Sequence, residues 1–93
     1  MDTRPKRLDE TSLYAQSAKK ITSNTKLLDS ILVGITFVIA SSPDHFPLVD
    51  DFGTRTAKSE AVGEIPALSI FFKEYEDHID LIDIKVAPED IPF

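Results

Sequence analysis

The chain has 93 residues, with 16 acidic against 10 basic side chains, a net charge of −6 and no cysteine. A chain of this length holds one small domain, so we expect a single domain over residues 1–93. The lack of cysteine excludes a disulfide-stapled fold, a thiolate metal site and a cysteine nucleophile, and it fits a cytoplasmic protein. The composition therefore indicates a cytoplasmic globular domain without assigning it an activity.

The charge is distributed unevenly along the chain. Residues 1–26 hold six basic and three acidic groups, whereas residues 27–93 hold four basic and thirteen acidic groups. Nucleic-acid binding usually requires a basic face, because counterion release from phosphates supplies much of the affinity. The acidic balance thus favours a protein partner over nucleic acid, and we interpret the basic N-terminal third as solvated.

Two helices are predicted in the first half of the chain. Asp9 or Thr11 can cap a helix near residues 10–22. A second helix follows the turn at residues 22–25 and carries an apolar stripe at helical spacing. The stripe consists of Leu28, Ile31, Leu32, Ile35, Val38 and Ile39. Gly34 predicts close approach of another backbone to this helix, which ends before Pro43.

The most apolar stretch of the chain lies within this second helix. It covers residues 31–40 and is ten residues long. A helix that spans a membrane needs about 20 apolar residues. We therefore expect a core helix and no membrane partner.

From Phe46 onward the apolar period changes to two, which predicts strands near residues 54–61, 67–73 and 79–86. The first of these is polar and typical of an edge strand. An acidic turn at residues 74–78 joins the other two as a hairpin, with Leu68, Ile70, Ile82 and Ile84 expected on the inner face. The pattern predicts an α+β fold, an N-terminal two-helix hairpin packed on a three- to four-stranded antiparallel sheet, with residues 1–8 and 88–93 as tails.

Four cations in the second half form a candidate anion or RNA site. Arg55 and Lys58 are three apart in the polar strand and are expected to point to opposite faces. Lys73 and Lys85 lie on the neighbouring strands. Solvent-facing strand cations that discourage edge pairing are the commoner explanation of such residues.

The hairpin turn is a candidate partner-binding surface. It contains Tyr75, Glu76, Asp77 and His78. His78 could act as a general base or a metal ligand, but an exposed turn residue is the commoner role for a histidine in this setting. The acidic residues do not match the calcium-loop spacing, so we expect no metal site and no cofactor.

The order of elements and several segments of the sequence resemble toxins of the RelE/ParE superfamily over roughly residues 8–87. The matching segments are Leu27-Leu28-Asp29 to Ile39, Ser42-Pro43-Asp44-His45-Phe46-Pro47, Gly53-Thr54-Arg55, Pro66-Ala67-Leu68-Ser69-Ile70-Phe71-Phe72 and Asp77-His78-Ile79-Asp80-Leu81-Ile82-Asp83-Ile84. The resemblance implies a toxin of a bacterial toxin–antitoxin module. Its partners would be an antitoxin peptide and a cellular target such as the translation or topoisomerase machinery.

The chain departs from that family at positions that matter for catalysis. The family commonly has Leu-Arg-Ile-x-Tyr in the hairpin strand, where this chain has Ser69 and Phe72 in place of Arg and Tyr. Cations near the phosphate are what stabilise the charged transition state of RNA cleavage. We therefore expect a degenerate nuclease site. Residues 3–8 contain Pro5 and alternate poorly, so the first strand is expected to be missing or very short.

Two functions remain open at this point. One is a toxin-like protein that acts by binding a protein partner or target. The other is an acidic adaptor or inhibitor, outside toxin–antitoxin systems, that occupies the basic surface of a partner. The sequence also leaves open whether the domain forms homo-oligomers.

Overall fold

A computed structural model describes residues 5–87 of the chain, which contain four strands, two α-helices and one short 3₁₀ helix. The chain order is β1 (Arg7–Glu10), α1 (Ser12–Ile21), α2 (Thr25–Ser41), the 3₁₀ helix (Pro43–His45), β2 (Thr54–Lys58), β3 (Leu68–Glu74) and β4 (His78–Val86). The strands form one sheet in the order β1-β4-β3-β2. The predicted α+β class is confirmed.

The first strand is very short, one of the two outcomes expected, but its parallel pairing was not predicted. Strand β1 exists, although it has only four residues, and it runs parallel to β4. The sheet is therefore mixed, because β2, β3 and β4 pair antiparallel as predicted. Arg7 and Leu8 belong to β1, so the predicted tail over residues 1–8 was too long. The other predicted tail, residues 88–93, lies outside the described residues.

Both helices begin at side-chain caps close to the predicted positions. The Thr11 hydroxyl accepts a hydrogen bond from the backbone N–H of Tyr14 at 3.2 Å and so caps α1. The side chain of Asn24 accepts from the N–H of Leu27 and caps α2. Such caps satisfy N–H groups that have no partner inside the helix. Each helix thus begins at a residue type that the sequence marks.

The core lies between the helices and one face of the sheet, which we call the inner face. Its strand residues are completely or almost completely buried and include Leu68, Ile70, Phe72, Ile79, Leu81 and Ile84. Tyr14 of α1 and Leu28 and Ile39 of α2 pack in the same cluster. The inner face was predicted correctly for β3.

For β4 the prediction of the inner face was wrong at Ile82. The pairing register shifts between Phe71, opposite Asp83, and Phe72, opposite Leu81, so Ile82 is an extra residue in the strand. A bulge of this kind reverses the alternation of faces beyond it. Ile79 and Leu81 therefore share the inner face with Ile84, whereas Ile82 is only half-buried.

Gly34 does not mark a close approach of another backbone. A Cβ atom built at this position meets no atom within 4 Å, and the residue is exposed. The predicted close packing at this glycine was therefore wrong, since Gly34 lies on the outer side of α2.

Strand β2 is a terminal strand of the sheet, as predicted. The segment before it folds back along its outer side, where the Thr56 N–H donates to the Pro47 carbonyl and the Val49 N–H donates to the Thr54 carbonyl. This edge is thus partly paired. Among residues 5–87, no helix is long and apolar enough to cross a membrane.

Candidate functional site

Three of the four predicted cations share the face of the sheet opposite the inner face, which we call the open face. The register pairs Lys58 with Ser69 and Ser69 with Lys85, so these three residues form one row across β2, β3 and β4. Lys73 lies further along β3 on the same face. Residues paired in register point to the same side of a sheet, which is why these lysines share one face.

Arg55 does not join them. Its partner in register is Phe72, a core residue, so Arg55 lies on the inner face. Its guanidinium donates a hydrogen bond to the backbone carbonyl of Phe46. The Phe46 ring packs edge-on against Phe72, with the centroids 5.6 Å apart. Arg55 therefore holds the segment before β2 in place. It does not lie with the lysines of the predicted anion site.

Two of the three lysines on the open face, Lys73 and Lys85, lie among aromatic and acidic neighbours. The Lys73 Nζ is 5.4 Å from the centre of the Tyr75 ring, and the Lys85 Nζ is 5.9 Å from that of Phe71. The register places Asp80 beside Lys73 and Asp83 beside Phe71. This mixture of charges weakens the positive potential that a phosphate would require.

A shallow cavity of 320 Å³ lies on the open face beside these residues. Its apolar side chains include Leu13 of α1, Phe71 and Ile82, and its charged ones are Asp50, Asp83 and Lys85. The Asp83 carboxylate accepts a hydrogen bond of 2.6 Å from the Ser17 hydroxyl, so this acid ties α1 to β4. Ser69 and Phe72 do not line the cavity, and both side chains are buried.

The acidic turn joins β3 and β4 as a hairpin, at the position that the sequence predicts. Tyr75, Glu76 and Asp77 are exposed, whereas the His78 side chain is only 22% exposed. The His78 ring stacks on Tyr75 with 4.8 Å between centroids, and its Nδ1 lies 2.7 Å from an Asp77 oxygen. The hydrogen bond with His78 is the main reason that the pKa of Asp77 lies below its usual value.

The turn is anchored from the other end of the chain. The Lys6 ammonium donates to the Glu74 carboxylate and to the Tyr75 carbonyl, each at 2.7 Å. Both contacts connect residues more than 65 positions apart in the sequence. They hold the hairpin turn next to the residues that lead into β1.

A groove between β1 and α2 was missed by the sequence analysis. It is lined in its middle by Leu8, Val33 and Thr36, which are shared by two adjoining clefts of 330 and 300 Å³. Phe37 lines one end, and Glu10 and Asp29 line the other. Val33 and Phe37 are 69% and 62% exposed. The signal in the sequence is that these two are four apart and lie outside the predicted stripe of α2.

The same fold occurs in two solved toxin–antitoxin complexes. The chain is similar to a chain of the RelBE2 complex from Mycobacterium tuberculosis, with a TM-score of 0.69, 11% identity, and coverage of 90% of this chain and 100% of that one. It is also similar to a chain of the intact RelBE complex from E. coli, with a TM-score of 0.61, 16% identity, and coverage of 90% and 99%. No protein-family model and no curated protein matches the chain. The likeness confirms the fold that the family resemblance implied.

Proposed function

We propose that this chain is a cytoplasmic, toxin-like component of a toxin–antitoxin module and acts by binding a protein partner. The fold it shares with chains of RelBE complexes supports this role. The observation that carries the binding part is the groove between β1 and α2, where apolar side chains are exposed next to a terminal strand.

The groove favours an amphipathic segment of a partner protein. Val33 and Phe37 offer an apolar contact surface at its centre. Glu10 and Asp29 form no ion pair with another described residue, so the carboxylates at one end of the groove complement a basic side chain. Complementary charge at an interface speeds association and fixes its orientation. The proposed occupant is therefore a segment with apolar residues followed by a lysine or arginine.

A RelE-type nuclease is the less favoured function for the same fold. Among the described residues, the open face carries Arg7 and three lysines as its cations, and Arg7 is paired with Asp9. Ser69 and Phe72 offer no cation at all. We therefore propose that the nuclease site is degenerate and that the toxin-like role rests on protein binding.

The test is co-expression with the protein encoded next to this gene. We expect the chain to arrest growth of a host cell, the neighbouring protein to relieve the arrest, and the two to co-purify. Phe37→Asp should reduce the recovered complex at least tenfold, since it places a charge in an apolar contact. Phe52→Asp is the matched control, because Phe52 is 77% exposed in the loop before β2.

Two results would count against the proposal. Equal recovery of the complex with Phe37→Asp and Phe52→Asp would remove the groove as the binding surface. Absence of both growth arrest and a neighbouring partner, combined with binding to an unrelated basic protein, would favour the adaptor or inhibitor function. The exposed acidic turn at Glu76 and Asp77 is the feature that favours this second function.

A further inference from the structure

The parallel pairing of β1 with β4 brings together one histidine and two carboxylates on the open face. Asp9 is the register partner of Asp80, and His78 lies two residues before Asp80 on the same side of β4. One ligand atom from each of these three side chains lies within 4.8 Å of the other two. We propose that Asp9, His78 and Asp80 bind a divalent first-row transition metal ion such as Zn²⁺.

The orientation of the imidazole separates this cluster from a chance group of surface acids. The Nδ1 atom of His78 is engaged by Asp77 at 2.7 Å, and the ring is stacked on Tyr75. The other nitrogen, Nε2, points towards the carboxylates and lies 3.4 Å from an Asp80 oxygen. In a neutral imidazole with its proton on Nδ1, the lone pair of Nε2 faces these oxygens.

This arrangement is typical of histidine ligands in metal sites. A carboxylate that accepts the Nδ1 proton fixes the tautomer and makes Nε2 a better ligand. Imidazole with carboxylate oxygens suits Zn²⁺ and its first-row neighbours better than Mg²⁺ or Ca²⁺, which prefer oxygen ligands alone. Three protein ligands leave further positions on the metal for water.

Arg7 is the internal competitor of the metal. Its guanidinium makes two hydrogen bonds of 3.1 Å to the two oxygens of Asp9. The Arg7 side chain is 64% exposed, so it can move into solvent and release Asp9 without leaving a buried charge. Exposed ion pairs of this kind contribute little to stability, because water and salt screen them. A metal ion in contact with three ligands can therefore displace it.

The experiment titrates the full chain with Zn²⁺ at pH 7.5 by calorimetry and records the absorption spectrum of the Co²⁺ form. We expect one ion per chain, with His78→Ala and Asp80→Asn each lowering the affinity at least ~10-fold. Arg7→Ala should raise it, because the competing cation is removed. Asp51→Asn, an exposed acid in the loop before β2, is the control and should bind like the parent.

Several outcomes overturn the proposal. Absence of Zn²⁺ binding by the parent does so, as does binding that survives both His78→Ala and Asp80→Asn. A weaker affinity in Arg7→Ala would also contradict it, because it would mean that the three groups form only a network of ion pairs. Circular dichroism of each variant shows whether its fold is retained, and thermal melting with Zn²⁺ gives a second measure of binding.

Discussion

At the scale of single residues, Thr11 links a helix to the bulge in β4. Its hydroxyl lies 2.9 Å from the carbonyl oxygens of both Leu81 and Ile82. The same hydroxyl oxygen accepts a hydrogen bond from the Tyr14 N–H. The Thr11 N–H donates to the Leu81 carbonyl as well. The residue therefore caps α1 and occupies the edge of β4 just beyond the last residue of β1. A cap was predictable from the sequence, but its contact with a strand 70 residues away was not.

Tyr14 is the largest side chain that α1 places in the core. It is 1% exposed. Burial raises the pKa of its phenol above the ordinary value, and the nearby Glu10 carboxylate raises it further. The neutral phenol is therefore favoured in the folded protein relative to the unfolded chain.

This shift predicts a loss of stability in alkali. Because the pKa is raised on folding, the contribution of Tyr14 is complete below the unfolded pKa of about 10 and is lost as pH rises above it. Tyr14→Phe removes this ionisation. The free energy of unfolding of the variant should therefore fall less between pH 9 and 11 than that of the parent protein. Urea unfolding of both proteins at several pH values measures the difference. Parallel curves for the two proteins would contradict it.

At the scale of elements, α2 has two apolar faces with different roles. Ile39 is completely buried in the core, whereas Val33 faces the groove beside β1. Helical periodicity predicts the first face, because its stripe repeats over the twelve residues 28–39. The second face has only two exposed members, and the sequence alone does not separate it from the core stripe.

Truncation of one residue on each face tests this division. Ile39→Ala should lower the free energy of unfolding by about 2–5 kcal/mol, since it removes buried atoms and leaves a cavity. Val33→Ala should change it by less than about 0.5 kcal/mol, as is usual at the surface. Urea unfolding monitored by circular dichroism gives both values. Comparable losses in the two variants would mean that α2 packs on the sheet by the other face.

The sequence predicts the bounds of some of these helices and strands better than those of others. The helices and strands β2 to β4 were predicted close to their observed bounds, since their apolar periods are regular. Strand β1 was not, because four residues after a proline carry little periodic signal. The proposed metal site of Asp9, His78 and Asp80 depends on the pairing of β1 with β4, which the spacing of acidic residues along the sequence does not reveal.

The placement of the four cations of the candidate anion or RNA site could be predicted only in part. Alternation along the strands predicts that Arg55 and Lys58 face opposite sides, and the structure confirms it. It does not reveal which side is covered. The helices cover the inner face, and Arg55 on that face donates its hydrogen bond to the Phe46 carbonyl of the segment that folds back before β2. Alternation likewise cannot locate the extra residue at Ile82.

At the scale of the whole molecule, β1 separates two surfaces of different chemistry. Leu8 and Glu10 line the groove beside α2, whereas Arg7 and Asp9 lie on the open face. The strand has one neighbour in the sheet, β4. A metal ion held by Asp9 and two groups of β4 would fasten this short strand, and the groove on its other side would become more rigid. The two proposals therefore meet at β1 although each is tested separately.

The net charge and the distribution of charges over the molecule allow a prediction of how the protein behaves towards RNA. Its net charge is −6, and Lys73 and Lys85 on the open face lie beside Asp80, Asp83 and aromatic rings. We expect the purified protein to leave messenger RNA intact on programmed ribosomes, because the carboxylates and rings beside Lys73 and Lys85 weaken the positive potential that would stabilise a charged phosphorane. Primer extension on the message, with a nuclease-active RelE toxin as positive control, measures this directly. Ribosome-dependent cleavage that disappears in Lys73→Ala or Lys85→Ala would restore the nuclease function and place it on the open face.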